Sequence, residues 1–447
     1  MSLVMNAKIP KRRVLIISFS FDPMRNPRAF RWTLLAERLA AQGRDVDVVT
    51  SLFPGVPELE QRGRLTIHRV GWIWVESLRA RFRVARERAG ATSAHPANPG
   101  FFARAIAGAG RLARWLWRRV LWPDASCLWY PAARKRGLEL ARRHSYDAMI
   151  CVAPSYTSVL AGQSIHRRHP DMRWILDLGD PFSFMEDTPP NNLLLYRGLN
   201  RSFERAAFRS ADAISVTTPQ TRERYAEIFP ESASKIVVIP PLLSLPVRGA
   251  VGTEQRLPGK LQFVYVGTLY KNIREPDFLL GLFAQALERG LPAGSELHFY
   301  GDVSACLEGF EAYRPRLGNR LVLHGVVARA TVAAAIEEAD VLINIGNDTL
   351  YQLPSKVVEY AATGKPVLSI AKTEGDSSLR FFAEYPSALG LVAPEKNPTA
   401  DQVARLVDFA QNLPPRLSEG RLGEWMKPFL PEQVLSCYLN LLVESNA

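Results

Sequence analysis

Short, almost wholly apolar runs recur along the chain, each leading into a polar loop and then into a segment with apolar residues three and four positions apart. The first of these units is the strand Val14 to Ser18, the loop Phe19 to Pro27 and a helix from Ala29 to Ala41, with Val46 to Thr50 as the next strand. Trp32, Leu35 and Leu39 give that helix one apolar stripe before Gly43 ends it. The alternation continues through Tyr146 to Ala153, a helix Ser155 to His166, and the strands Trp174 to Asp177, Ala213 to Thr217 and Ile236 to Ile239. A linker carrying Gly and charge, Arg248 to Gly259, precedes a second series. It comprises Leu261 to Val266, helix Asp277 to Glu288, Glu296 to Tyr300, Leu321 to His324, helix Thr331 to Ala339, Val341 to Ile345, and Val367 to Ile370. Pro431 to Val443 reads as a last helix. Strand and helix in alternation imply parallel sheets wound through right-handed crossovers. The pattern predicts an α/β chain of two Rossmann-like, doubly wound domains at residues 1–246 and 247–430, with residues 431–447 as a C-terminal helix.

Composition fits this picture. A chain of 447 residues supports two domains of roughly 200, each able to bury its own core. Hydrophobic content of 47% and charged content of 22% are those of a soluble globular protein, and no apolar run nears the roughly 18 residues of a membrane span. Lys8, Lys11, Arg12 and Arg13 lead straight into the first strand without a signal-peptide apolar region, so a cytoplasmic protein is expected. Cys127, Cys151, Cys306 and Cys437 are scattered without CxxC or Cys/His pairing, which argues for reduced thiols and against a disulfide framework or zinc site. The net charge of +12 divides unevenly: residues 1–245 hold 37 Lys and Arg against 21 Asp and Glu, the remainder 19 against 23. Only the first half is built to meet anions.

The segment Leu353 to Leu368 carries the densest chemistry. Val341 to Ile345 reads as a buried strand and Gly346 to Leu353 as the loop leaving its carboxyl end, where open α/β sheets bind ligands. Ser355 reads as an N-cap and Gly364 as the residue past the helix. Lys356 in the first turn can then reach a phosphate drawn to the helix N-terminus, and Glu359, one turn on, can accept hydrogen bonds from a ribose diol. The alternative is a solvated ion pair on an amphipathic helix.

Pro354-Ser355-Lys356, followed by Glu359-Tyr360 and by Gly364-Lys365-Pro366-Val367, resembles the donor-nucleotide motif of GT-B glycosyltransferases of the group-4-like kind. The resemblance implies two domains facing a cleft, with a UDP- or GDP-linked sugar bound by the second and the acceptor by the first. It also implies a C-terminal helix that packs back on the first domain, and chemistry that needs no metal or other cofactor. Many relatives carry a further glutamate eight positions before Glu359, where this chain has Tyr351. By the same resemblance Gly267, Thr268, Lys271 and Arg274 belong to a second phosphate-side loop, and Gly325 and Val326 lie against the nucleotide base. A glycine there lets backbone amides approach a pyrophosphate that a nearby cation neutralises; an ordinary βα turn with surface cations is the alternative. No GxGxxG occurs, so a dinucleotide dehydrogenase lacks its phosphate fingerprint.

In the first half, Asp177 and Asp180 stand at the exit of a buried strand. The segment Asp177-Leu178-Gly179-Asp180-Pro181-Phe182 is similar to an Asp-x-Arg-Asp-Pro-Trp segment of the superfamily, with Gly179 in place of the arginine. Asp180 is the candidate general base for deprotonating a sugar hydroxyl, and Asp177 a candidate acceptor contact; either could instead cap the following turn. Arg28 and Arg31 at the start of the first helix suit an acceptor pyrophosphate, or else face solvent. From Arg79 to Trp122 the chain has ten arginines against the single acid Glu87. Within this insertion at 79–122, Arg111, Arg114, Arg118 and Arg119 interleave with Trp115, Trp117 and Trp122, as in a cationic amphipathic helix lying in an anionic headgroup layer. A nucleic-acid surface and a core helix with snorkelling arginines compete with that assignment; the sugar-transfer motifs disfavour nucleic acid.

The combined expectation is a metal-independent hexosyltransferase that moves a sugar from a nucleotide-sugar donor to a lipid-linked saccharide acceptor in bacterial polysaccharide or glycolipid synthesis. It would work in the cytoplasm, bound peripherally to the inner face of the cell membrane. A catalytically silent assembly partner with the same fold, and a nucleotide-sugar epimerase, are the alternatives.

Overall fold

The computed structural model describes residues 12–71, 120–186, 188–243 and 259–443. Two compact units emerge, Met1–Leu242 together with Pro431–Ala447, and Leu243–Leu430. No described helix is long and apolar enough to cross a membrane.

The first unit is built on an eight-stranded sheet, β1 (Arg13–Ser18), β2 (Asp45–Ser51), β3 (Leu59–Arg62), β4 (Leu65–Val70), β5 (Ala148–Ala153), β6 (Arg173–Leu178), β7 (Ala213–Val216) and β8 (Ile236–Val238). Their spatial order is β3-β4-β2-β1-β5-β6-β7-β8. All neighbours are parallel except the edge pair β3 and β4. Side chains alternate between the faces of a strand, and both faces here are covered. Leu15 and Ile17 pack with Met149, Cys151 and Trp174 under α2 (Tyr130–Arg143) and α3 (Tyr156–His166). Val14 and Ile16 pack with Trp32, Leu35 and Leu39 of α1 (Pro27–Ala41) on the opposite side. That double burial is why β1 and β5 read as unbroken apolar runs. The C-terminal helix, Pro431–Val443, adds Val434, Leu435, Tyr438, Leu441 and Leu442 to the α1 side of this core.

The second unit has six strands, β9 (Gln262–Val266), β10 (Glu296–Tyr300), β11 (Leu321–Gly325), β12 (Val341–Ile345), β13 (Val367–Ala371) and β14 (Ala388–Val392), in the order β11-β10-β9-β12-β13-β14, all parallel. This is the 3-2-1-4-5-6 winding of a dinucleotide-type sheet, whose connections reverse direction between β9 and β12; ligands bind at the carboxyl ends of the strands at such a reversal. In the first unit the inner six strands have the same order, with the reversal between β1 and β5.

Strand limits expected from the pattern agree within one or two residues. The β3–β4 pair and the helix α4 (Leu193–Ser210) were not anticipated. β3 is a half-exposed edge strand of mixed polarity, and α4 interrupts its apolar stripe with Gly198 and four arginines, so neither carries a clean period.

Candidate active site

At the reversal in the second unit, β9 runs out into Gly267, whose φ is 144°. Gly267 donates its N–H to Tyr300 O at 2.8 Å, and Gly301 donates to Gly325 O at 2.8 Å, so the ends of β9, β10 and β11 are laced together through three glycines. A Cβ at Gly301 would fall on the Gly267 carbonyl, which leaves glycine as the residue that fits this approach. Beyond Gly267, Tyr270 and Arg274 exchange backbone hydrogen bonds of 3.2 and 2.9 Å, and Asn272 takes a positive φ of 67° in the tight turn between them. The turn directs Arg274 inward to the Asn347 side chain and leaves Lys271 outside, 3.2 Å from the exposed carboxylate of Glu308. Thr268, half-buried, accepts a hydrogen bond on its carbonyl from the Tyr265 hydroxyl at 3.3 Å.

Across the reversal, the loop after β12 leads to a short helix, Ser355–Ala361. Here the expected cap is corrected by one position. The extended Pro354 precedes the helix, Ser355 is its first residue, and no side chain caps it. With seven residues the helix offers little macrodipole, so the positive charge at this point comes from the Lys356 side chain. Its ammonium is out of contact with solvent, has no hydrogen-bond partner among the described residues, and stands 5.0 Å from the centre of the Tyr265 ring. It lies 3.7 Å from the point where a Cβ on Gly267 would be. Burial, and then the nearby Arg274 guanidinium, push the Lys356 pKa down to about 7, against the opposing pull of Asp376.

Tyr360, on the buried side of this helix, accepts the N–H of Val266 at 3.1 Å through its hydroxyl, which ties the helix carrying Lys356 and Glu359 to the last residue of β9. Glu359 is half-buried one turn beyond Lys356, as is Tyr351 in the preceding loop. Gly325 ends β11 with a φ of 68°, and Val326 beyond it is exposed. The structure thus brings Gly267, Arg274 and Lys356 together at the reversal, with Gly325 one strand pair away.

Two residues of this site gave no signal along the chain. Tyr265 alternates inward on β9 like any core aromatic. Asp376 caps the helix Ser377–Ala383, its Oδ1 accepting from Ser378 N at 2.9 Å and Leu379 N at 3.1 Å, while its buried Oδ2 has no partner among the described residues. Lys365 of the Gly-Lys-Pro-Val stretch is structural: buried, it donates to Glu337 O at 2.6 Å and Ala339 O at 2.8 Å, closing the carboxyl end of the helix Arg329–Glu338.

In the first unit the acceptor assignments change. Asp177 is 1% exposed and its carboxylate is saturated. Oδ2 accepts from Arg28 at 2.9 Å and Trp32 Nε1 at 2.6 Å, and Oδ1 from Ser215 at 2.8 Å and Tyr438 at 2.7 Å. Four donors fill the acceptor sites of a carboxylate, so Asp177 has nothing left to offer an acceptor. Arg31 is likewise buried, donating to Pro240 O at 2.7 Å and to the Tyr438 hydroxyl at 3.0 Å. Both are corrected from acceptor contacts to the polar centre that seats the C-terminal helix. Arg28 lies at the edge of this network, and a Cβ at position 179 would fall inside its guanidinium. Gly179 is therefore the condition for Arg28 to reach Asp177.

Asp180 is half-buried on the loop after β6, and its carbonyl accepts the Tyr156 hydroxyl. Buried Glu204 and Tyr225 pin the same loop. Ser183 N donates to Glu204 at 3.3 Å, Phe182 N to the Tyr225 hydroxyl at 3.3 Å, and that hydroxyl donates to Glu204. Burial raises the Glu204 pKa to about 7. An acid on the apolar face of α4, between Phe203 and Ala207, was the available signal.

A cavity of about 960 Å³ opens at the reversal between β1 and β5, lined by Phe19, Ser20, Ser155, Tyr156, Asn191 and Leu194 among others. Of the membrane residues named from sequence, Arg111, Arg114, Trp115, Trp117, Arg118 and Arg119 lie outside the described residues. Trp122 is described: its Nε1 donates to Asn200 at 3.0 Å and its ring packs edge-on against Phe203 at 5.2 Å, so it is seated in the protein and corrected from a membrane contact.

Two mainly parallel sheets with this winding, and a cationic glycine-lined site at the reversal of the second, are the architecture of the two-domain GT-B class. Residues 29–241 match the model of the glycosyl transferase 4-like domain and residues 260–408 that of the glycosyl transferases group 1, and the chain belongs to this group-1/4-like family of GT-B glycosyltransferases. Among solved structures it is similar to sucrose-phosphate synthase from Thermosynechococcus elongatus, with 16% identity, a TM-score of 0.60, and coverage of 97% of this chain and 100% of that one. A glycosyltransferase from Rickettsia africae gives 11% identity and a TM-score of 0.55, covering 98% and 100%. The lipopolysaccharide outer core galactosyltransferase WaaB gives 14% and 0.53, covering 96% and 99%. No curated protein matches the chain in sequence.

Proposed function

We propose that this glycosyltransferase moves a hexosyl group from a UDP- or GDP-linked sugar, held by the second unit, to a lipid-linked saccharide acceptor held by the first, in bacterial polysaccharide or glycolipid synthesis. The observation that carries the reading is the Lys356 ammonium, stripped of solvent and without a hydrogen-bond partner among the described residues, beside Arg274 at the β9/β12 reversal. A cation in that state binds a polyanion with little further desolvation cost. When the anomeric C–O bond breaks, the departing diphosphate keeps the bonding electrons, and Lys356, Arg274 and the backbone around Gly267 and Thr268 stabilise the charge. This assigns to side chains the neutralisation that a divalent metal supplies elsewhere. Glu359 takes the ribose hydroxyls, and Gly325 and Val326 flank the base. In an inverting transfer Asp180 accepts the proton of the attacking hydroxyl. The cavity at the β1/β5 reversal supports an acceptor of several rings, and replaces the contacts first assigned to Arg31 and Asp177.

The test is nucleoside diphosphate release from a panel of UDP- and GDP-sugars, with and without a total lipid extract and with chelator present, for the parent, Asp180→Ala and Glu359→Ala. Lipid-dependent turnover of one donor, undiminished by chelator and lost in both variants, is expected. Donor binding without turnover on any lipid would point to a silent assembly partner.

A further inference from the structure

Lys356 Nζ, Asp376 Oδ2 and Asn344 Oδ1 are buried polar atoms without a hydrogen-bond partner among the described residues, and all three belong to one corner of the second unit. Asn344 and Asp376 are 0% and 1% exposed. Asn344, on β12, donates through Nδ2 to Ser369 at 3.1 Å and to Ser378 at 3.0 Å, and the Ser378 hydroxyl carries the chain on to Asp376 Oδ1. That oxygen also accepts Ser378 N and Leu379 N, so three donors converge on it and fix the carboxylate. Oδ2 is left bare against the exit of β12, where a Cβ at Gly346 would come within 2.8 Å of it. The next residue, Asn347, accepts from Arg274, whose charge acts on Lys356. The carboxylate thus lies directly behind the loop that anchors Arg274.

Capping alone does not call for a carboxylate here, since Asn or Ser caps a helix as well as Asp. A buried carboxylate with one bare oxygen costs stability, so its charge needs another use. The titratable and charged groups around Lys356 are Tyr265 from β9, Arg274 from the loop after it, Asp376 from the start of the helix Ser377–Ala383, and Glu359 and Tyr360 from its own helix. Arg274 disfavours the ammonium form and Asp376 favours it. No hydrogen bond joins Asp376 to Lys356. At low dielectric a charge acts across several ångströms without contact, so the carboxylate supports the ammonium and leaves its three N–H groups to an anion. A direct ion pair would fill those groups and have to break before a diphosphate could bind.

We propose that Asp376 is a positioning residue of the donor site: a counter-charge, held out of reach, that favours the ammonium form of Lys356 while the site is empty and leaves its N–H groups for the incoming diphosphate. The inference rests on the donor site proposed above, and adds to it a residue that acts on the donor only through Lys356. Asn344 and Ser378 hold the carboxylate in place from β12 and from the first turn of the next helix.

The experiment is calorimetric titration of the full chain with UDP and with GDP between pH 5.5 and 9, in buffers of different ionisation enthalpy, for the parent, Asp376→Asn and Asp376→Ser. Both replacements keep a capping oxygen, so thermal melts stay near the parent's, and either variant serves if the other does not fold. With Lys356 half charged near pH 7, the parent takes up about half a proton on binding there. Without the carboxylate the uptake rises to nearly one, and the break in affinity against pH moves down by about one pH unit. Below that break the affinity is not reduced, because the lysine is already charged and a group that repels the diphosphate is gone. Unchanged uptake and an unchanged break in the folded variants, with Lys356→Met still weakening binding, would show that Asp376 is a cap alone; the inference is then overturned and the donor site stands. If the parent binds neither nucleotide, the donor reading falls and the inference falls with it.

Discussion

At the scale of the residue, the proposed donor site makes Lys356 the group whose protonation a bound diphosphate would change. Burial and Arg274 hold its pKa near 7 in the free protein, whereas a bound diphosphate favours the charged form. Below pH 7 the lysine is charged before and after binding; above it, binding must take up a proton. The affinity for UDP or GDP is therefore expected to fall as pH rises from 7 to 9, by up to about tenfold per pH unit, in calorimetric titrations. Lys356→Met should lower affinity at pH 7 roughly 10- to 100-fold, from the loss of a charge-assisted contact, and remove the slope. A variant with the parent's slope would place the titrating group elsewhere. Lys356 and Glu359 were legible in the sequence because a helix turn fixes their spacing. Tyr265 and Asp376, which lie around the same ammonium, were not: one alternates on a core strand and the other, twenty residues beyond Lys356, caps another helix, so only the folded chain brings them to one point.

At the scale of the element, the loop after β6 shows how a catalytic candidate is held by groups it never contacts in sequence. Glu204 and Tyr225 arrive on α4 and on the helix Pro219–Ile228 to bind the N–H groups of Phe182 and Ser183, two and three residues beyond Asp180. Because the folded pKa of Glu204, about 7, lies above the 4.5 of an ordinary glutamate, the folded state binds the extra proton. Its contribution to stability is present below pH 4.5 and is lost as pH rises through 7, a change of about 3 kcal/mol for this group. Denaturant unfolding of Glu204→Gln between pH 4.5 and 8 should lose that part of the parent's pH dependence; an unaltered profile would mean that Glu204 is solvated. The same helix pins the Asp180 loop on its buried side and leaves Leu194, Leu195 and Leu199 exposed on the other. Periodicity could not announce this, since an acid faces the core and leucines face outward.

At the scale of the whole molecule, the chain leaves its first unit at Leu242 and returns to it at Pro431, so the two units are unequal in their dependence on the C-terminus. Five buried side chains of the last helix, among them Tyr438 between Arg31 and Asp177, belong to the core of the first unit. Burial of such side chains contributes roughly 1.5 to 3 kcal/mol each. Ending the chain before Pro431 should therefore unfold the first unit while the second keeps its thermal transition and its nucleotide binding, measured by calorimetry on the truncated chain; loss of both transitions would show that the units fold together. What the sequence by itself determined was the α/β class, the positions of most strands, and the placing of Lys356 and Glu359 one turn apart on a helix, because hydrophobic period and helical spacing are local properties of a chain. Tertiary structure alone decided that Asp177 and Arg31 are consumed in a buried network, that Gly179 makes room for Arg28, that a cavity opens between β1 and β5, and that α4 turns its leucines outward. Each of these depends on which distant side chains compete for the same charge or the same space, and that competition is settled only when the chain has closed on itself.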